Sequence, residues 1–230
     1  MPIALATFDN APALDRALAD AVAARLAAAI AARGTASLVV SGGRTPIGMF
    51  KRLSSAPLRW DAVTVTLADE RWVDAAHADS NERLVHSHLL RNAAAAARFV
   101  PLKNAAATPE AGVAATAAAL NSVAHPFDVV LLGMGDDAHT ASLFPGAAEL
   151  EAGLTTAASC LAVRPPHTPH ARMSLTLRSL LDARSIIVQI AGTNKRSVIE
   201  RAAEPGPVAS MPIRAILHQR AVPFEIYWCP

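Results

Sequence analysis

The chain has 230 residues, 52% of them hydrophobic and 17% charged, which excludes a disordered polymer and is enough to bury a sizeable core. Its formal net charge of +2 comes from 21 Lys and Arg against 19 Asp and Glu, interleaved along the sequence. Such a pattern offers no clustered basic face for nucleic acid. Cys160 and Cys229 are far apart and form no CxxC pair, so a reduced, cytoplasmic protein is expected.

The opening stretch, MPIALATFDNAPAL, has no basic segment ahead of an apolar core, and no signal peptide is expected. From Asp15 to Arg33 alanines recur at helical spacing (Ala17, Ala21, Ala24, Ala28, Ala31), and Gly34 supplies a stop. Arg16, Asp20, Arg25 and Arg33 make this helix too charged to span a bilayer. Ala36–Val40 reads as a strand that ends in Ser41-Gly42-Gly43-Arg44-Thr45-Pro46, with Thr45 suited to cap a helix running to about Leu53 and Pro46 to its first position. A strand over Asp61–Leu67 leads into Asp69-Glu70-Arg71, and Ser80-Asn81 starts a helix through Leu90.

Further along, the pattern predicts a small strand over Phe99–Leu102 and an Ala-rich helix over Pro109–Val123. The β-branched run Val129–Leu132 has the composition of a fully buried strand. It breaks at Gly133 and Gly135, passes Asp136 and Asp137, and presents His139 where a helix is expected to start. Strands follow at Cys160–Val163, Met173–Leu177, Ser185–Ala191 and Phe224–Cys229, with helical stretches at Arg178–Leu181, from Lys195 to near Ala203, and over Pro212–His218. No repeat, linker or composition shift marks a boundary. Strands alternating with helices throughout predict one α/β domain over residues 1–230, with a mostly parallel open sheet covered by helices on both faces.

Function is expected where strands end. Ser41-Gly42-Gly43 with Thr45 is a strand-to-helix turn whose glycines and unpaired N–H groups suit an anion, although an ordinary turn reads the same way. Asp69 and Arg71 lie at another strand end, where Arg71 can grip a phosphate or carboxylate with its planar fork; an isolated Asp-Glu-Arg is more often a loop salt-bridge cluster. Asn81 is either a helix cap or a substrate contact. Lys195, one of only three lysines, sits at a strand-to-helix junction where an ammonium reaches an anion, and Arg172 precedes a strand. His86 and His88, two apart on a helix, point in different directions and make a poor metal pair. GMGDDA also fits the dinucleotide pattern G-x-G-x-x-A, but no second strand with a terminal acid follows at the required spacing, and two carboxylates would repel a pyrophosphate.

Taken in order, Ser41–Pro46, Asp69-Glu70-Arg71, Ser80-Asn81, Gly133 through Gly146, Arg172 with Ser174-Leu175-Thr176, and Gly192 with Lys195 resemble the 6-phosphogluconolactonase family. The resemblance implies a Rossmann-like α/β domain of the type shared with glucosamine-6-phosphate deaminase and ribose-5-phosphate isomerase. It also implies hydrolysis of 6-phosphogluconolactone to 6-phosphogluconate in the pentose phosphate pathway. The partner is then a small sugar-phosphate lactone, with no required cofactor, no metal, no nucleic acid and no membrane, and the chain a monomer or weak homo-oligomer. On this reading His139 is the catalytic base, Asp137 or Asp69 orients it or the sugar hydroxyls, and Ser41, Gly42, Gly43, Thr45, Arg71, Asn81, Arg172 and Lys195 bind substrate. Two departures stand out. The deaminase motif ends in Phe-Asn-Glu-Pro, and Phe144 occupies the position of that Glu; the usual Asp-Gly-His of the lactonase family reads Asp137-Ala138-His139. If that glycine has positive φ, alanine costs roughly 1–2 kcal/mol there. A non-enzymatic sugar-phosphate sensor of the same architecture is the remaining alternative.

Overall fold

The computed structural model describes residues 5–230. Of the short apolar start, residues 1–4 lie outside it. In chain order the elements are β1 (Leu5–Thr7), α1 (Ala11–Arg33), β2 (Ala36–Val40), α2 (Ile47–Leu53), β3 (Val63–Leu67), β4 (Asp69–Arg71), α3 (Asn81–His88), β5 (Arg98–Val100) and α4 (Pro109–Leu120). They continue with β6 (Val129–Leu132), α5 (Leu150–Thr155), β7 (Cys160–Val163), β8 (Arg172–Leu175), α6 (Leu177–Leu181), β9 (Ile186–Ala191), α7 (Thr193–Ala203), α8 (Arg214–Leu217) and β10 (Phe224–Cys229).

Seven strands form one parallel sheet in the order β1-β10-β9-β6-β2-β3-β5. Its central members are the Val/Ile/Leu runs, and β2 and β6 are buried at every residue. Chain order advances from β2 through β3 to β5 in one direction and from β6 through β9 to β10 in the other. Right-handed crossovers therefore place α1 and α2 on one face and α4 and α7 on the opposite face. The direction reverses between β2 and β6, which pair in register Leu38↔Val129 through Val40↔Leu131. A crevice opens beyond the carboxyl ends of two such strands, because their outgoing connections part to opposite faces.

The sheet agrees with the sequence reading; several local expectations do not. Helix α1 starts at Ala11 rather than Asp15, because the Asn10 side chain accepts from the Ala13 amide and Pro12 lies in the first turn. Its buried face is Leu14, Leu18, Val22, Leu26, Ala29 and Ile30, while Ala24, Ala28 and Ala31 of the alanine row are exposed. Larger side chains remove more area from water and so set which face turns inward. Thr45 does not cap α2: Pro46 occupies the cap position and no side chain caps the helix. Thr176, which accepts from the Ser179 amide, ends β8 before Leu177 and starts α6 there.

A second, three-stranded antiparallel sheet, β4-β8-β7, was not expected. Asp69-Glu70-Arg71 forms its edge strand, with Asp69 opposite Ser174 and Arg71 opposite Arg172. Charged residues with no apolar alternation carry no strand signal of their own, and the pairing is tertiary. Among the described residues, no helix is long and apolar enough to cross a membrane.

Candidate active site

At the point where β2 and β6 part, a cleft of about 220 Å³ is lined by Ser41, Gly42, Gly43 and Thr45 after β2, Gly133 to Gly135 and His139 after β6, and Lys195 at the start of α7. Asp69, Arg71, Asn81 and Arg172 close the other side. Every predicted site residue except Asp137 thus faces one space. The Ser41 amide donates to the Leu131 carbonyl (3.0 Å), extending the β2–β6 ladder to the lip of the cleft. Gly43 turns away at φ +92°, a conformation that favours glycine. Gly42 packs so closely on the Asn81 side chain that a Cβ there would overlap its amide.

On the β4–β8 side the cleft is held by buried polar groups. Asp69 Oδ2 accepts from Ser142 Oγ at 2.5 Å and from Arg172 Nη1 at 3.3 Å. Asn81 Nδ2 donates to the Asp69 carbonyl at 2.8 Å. Next to it Glu70, 1% exposed, accepts from the amides of Arg71, Asn81 and Glu82 and from Ser80 Oγ, at 2.7–3.1 Å. Burial pushes the Glu70 carboxyl above its usual range against the pull of those amides. Glu70 therefore fixes the start of α3, and Asn81 with it, rather than belonging to a surface salt-bridge cluster. Burial likewise pulls the Arg172 guanidinium below its ordinary value, opposed by Asp69.

The segment after β6 corrects another expectation. No helix starts at His139; between Gly133 and Glu149 the chain makes a series of turns, and the next helix is α5. Ala138 at φ +64° and Ala141 at φ +48° break any helical run, and Pro145-Gly146 follow immediately. Ala138 does adopt the positive φ considered for the glycine it replaces. It is held there by its amide donating to the Gly135 carbonyl (3.1 Å) and its carbonyl accepting from the Ile213 amide (3.0 Å). No helix of its own therefore begins at His139.

What positions His139 is Asp137. Its Oδ1 lies 2.6 Å from His139 Nδ1 and accepts from the His139 amide at 3.1 Å. Burial alone would raise the Asp137 carboxyl, but hydrogen bonds and charge from His139 outweigh it and hold it below the usual range. A carboxylate at Nδ1 selects the tautomer protonated there and leaves Nε2 as the acceptor. The ring lies against Phe144, centroids 4.1 Å apart and tilted by 32°, and the Arg172 guanidinium sits 5.6 Å from the same Phe144 ring. Gly135 is confined as well, because a Cβ on it would overlap both His139 and Asp137.

Lys195 Nζ is 3.0 Å from Asp136 Oδ1, which also accepts from Asn194 Nδ2 at 2.7 Å; the Lys195 hydrogen bond holds the Asp136 carboxyl below its ordinary range. Successive carboxylates thus do separate jobs, Asp136 anchoring the ammonium and Asp137 the imidazole. Among the described residues, the buried side-chain atoms without a hydrogen-bond partner are Ser41 Oγ, Arg71 Nε, Asn81 Oδ1, Arg172 Nε and Gln189 Oε1, and all five residues line this cleft. Buried polar atoms are normally paired, so such a concentration marks groups arranged for a polar ligand. Sequence reasoning did not pick out Gln189, Asp136 or the positioning role of Glu70. Only the oddity of a Gln within the apolar run SIIVQIA signalled the first.

Residues 9–228 match the model of a family described as glucosamine-6-phosphate isomerases/6-phosphogluconolactonase. The chain is 50% identical over 225 residues to a 6-phosphogluconolactonase of Rhizobium meliloti, covering 97% of each chain. With a 6-phosphogluconolactonase of Pseudomonas putida it shares 47% identity over 223 residues, 96% of this chain and 90% of that one. A solved 6-phosphogluconolactonase from Shewanella baltica is similar at a TM-score of 0.98 and 47% identity, over 99% of this chain and 98% of that one.

Proposed function

We propose that this chain, which belongs to the glucosamine-6-phosphate isomerase/6-phosphogluconolactonase family, hydrolyses 6-phosphogluconolactone to 6-phosphogluconate, a step of the pentose phosphate pathway. The observation that carries the mechanism is an imidazole anchored through Nδ1 by Asp137, at the rim of a cleft holding Lys195, Arg71 and Arg172. A δ-lactone is an activated ester; its hydrolysis needs a positioned water, a base and charge stabilisation.

The phosphate sits on the Gly42-Gly43-Thr45 turn beside Ser41 and Lys195. A βα turn with exposed amides and an ammonium held by Asp136 supports that placement. His139 Nε2 takes a proton from the water that attacks the lactone carbonyl. Arg172, held by Asp69, or Arg71 stabilises the oxyanion. When the ring C–O bond breaks, the proton passes from His139 to the departing ring oxygen, and the open-chain carboxylic acid that forms releases its remaining proton to solvent to give the carboxylate. Asp69 makes no hydrogen bond to His139; its partners are Ser142, Arg172 and Asn81, so its role is to orient Arg172 and Asn81. Ser142 is fully buried and does not line the cleft, which argues against its serving as a nucleophile.

Phe144 argues against the deaminase reaction, since at this position an aromatic ring supports His139 and supplies no proton-transfer group. We place the enzyme in the cytoplasm as a single domain, monomeric or weakly self-associating; two buried, unpaired cysteines fit a reducing compartment. The test is to measure hydrolysis of 6-phosphogluconolactone, corrected for its spontaneous hydrolysis, beside ammonia release from glucosamine 6-phosphate. Lactone turnover without ammonia is expected. Ammonia release would favour the deaminase, and ligand binding without turnover of either compound would favour a sensor.

A further inference from the structure

Outside the cleft, His77, Asp79 and His170 each bring one ligating atom to within 4.8 Å of the others. His77 and Asp79 lie between β4 and α3, and His170 precedes β8 by two residues, so the cluster joins segments distant in sequence. His170 Nε2 is 3.0 Å and His77 Nδ1 3.8 Å from the same Asp79 oxygen, Oδ2. Around a tetrahedral zinc ion with bonds of 2.0–2.1 Å, ligand atoms stand about 3.3 Å apart, a value these two distances bracket. His77 Nδ1 accepts from the Asp79 amide (3.1 Å), so that nitrogen is unprotonated in this arrangement, and an ion bound there takes the place of this hydrogen bond. Two imidazoles and one carboxylate suit zinc-class ions and not the all-oxygen preference of calcium or magnesium.

What the cluster is attached to gives it consequence. The Asp79 carbonyl accepts from Arg71 Nη1 at 2.5 Å, and Thr168 Oγ1, two residues before His170, accepts from Arg172 Nη2 at 3.4 Å. The segments that meet at the cluster thus carry an anchor for each cleft arginine. We propose that His77, Asp79 and His170 bind one divalent transition-metal ion of the zinc class, which fastens these segments together and steadies Arg71 and Arg172. The ion takes no part in the chemistry; its effect on catalysis, which rests on the arginines contacting substrate, is on substrate affinity.

Zinc chloride titrated by calorimetry into chelator-treated protein, without substrate, tests the site. One ion per chain is expected, with His77→Ala and His170→Ala each weakening it by about tenfold or more, and His139→Ala leaving it unchanged. Should His170→Ala fail to fold, exposed His77 gives the same readout. No binding at about 100 µM zinc, equal binding by wild type and both variants, or loss in His139→Ala overturns the site. With the site filled, KM for the lactone should fall roughly fivefold in wild type and stay constant in His77→Ala. An unchanged wild-type KM overturns the clamp. Because the calorimetry involves no lactone, failure of the proposed lactonase activity would leave the zinc-binding result intact.

Discussion

Two sides of the cleft are built on opposite principles. On the β4–β8 side, Glu70, Asp69, Asn81 and Ser142 are buried and hydrogen-bonded to one another or to main chain, so the geometry of Arg71 and Arg172 rests on a polar interior. On the β6 side, His139 and Lys195 rest on half-exposed or exposed carboxylates, Asp137 and Asp136, carried by turns with two alanines at positive φ. A buried network fixes position because every broken bond leaves an unpaired group. An acidic turn at the surface instead leaves the imidazole and the ammonium partly open to water. Substitutions on the buried side should therefore register chiefly as lost stability, and those on the acidic turn as lost catalysis.

The sharpest way to break that contrast is His139→Ala. Kinetics should show kcat reduced by roughly 10²–10⁴-fold with KM little changed and the melting temperature near wild type. Wild-type turnover would remove His139 from the mechanism. On the opposite side, Glu70→Ala strands three amides and the Ser80 hydroxyl. Chemical denaturation should record a loss of roughly 3 kcal/mol. A variant as stable as wild type would mean that water replaces the carboxylate at no cost.

On the proposed placement of the phosphate, Lys195→Ala removes one charge-assisted contact and should raise KM by roughly 10–100-fold with a smaller change in kcat. An unchanged KM would place the phosphate elsewhere. Ala138→Gly should have the smallest effect. Relief of the positive φ, roughly 1–2 kcal/mol, is offset by the entropy of a freer unfolded chain and the loss of a buried methyl. Stability should stay within about 1 kcal/mol of wild type and kcat within about threefold. A tenfold fall in kcat would show that the Ala138 methyl, rather than the backbone turn, seats the imidazole.

The same contrast explains what was legible in the sequence. Val129–Leu132 and Ile186–Ala191 announced themselves as buried strands because nearly every side chain is apolar, and the residues following such strands could be picked as site candidates. The β4–β8–β7 sheet could not be read, since the burial of Asp69-Glu70-Arg71 depends on a strand a hundred residues away. Nor could Glu70 be told from a surface acid, because its four donors appear only once Ser80, Asn81 and Glu82 fold back over it. The helix expected at His139 was a misreading with a visible antidote. Pro145-Gly146 left room for only about one turn, too little to repay its nucleation.

In the paired-base mechanism Asp137 acts through His139 and by no other path, and a double-mutant cycle measures that directly. Asp137→Asn alone should lower kcat by roughly tenfold or more. In a His139→Ala background the same change should leave the residual kcat where it is, because the carboxylate no longer has a base to orient. If the two losses instead multiply in full, Asp137 acts on the substrate independently and the paired-base mechanism is contradicted.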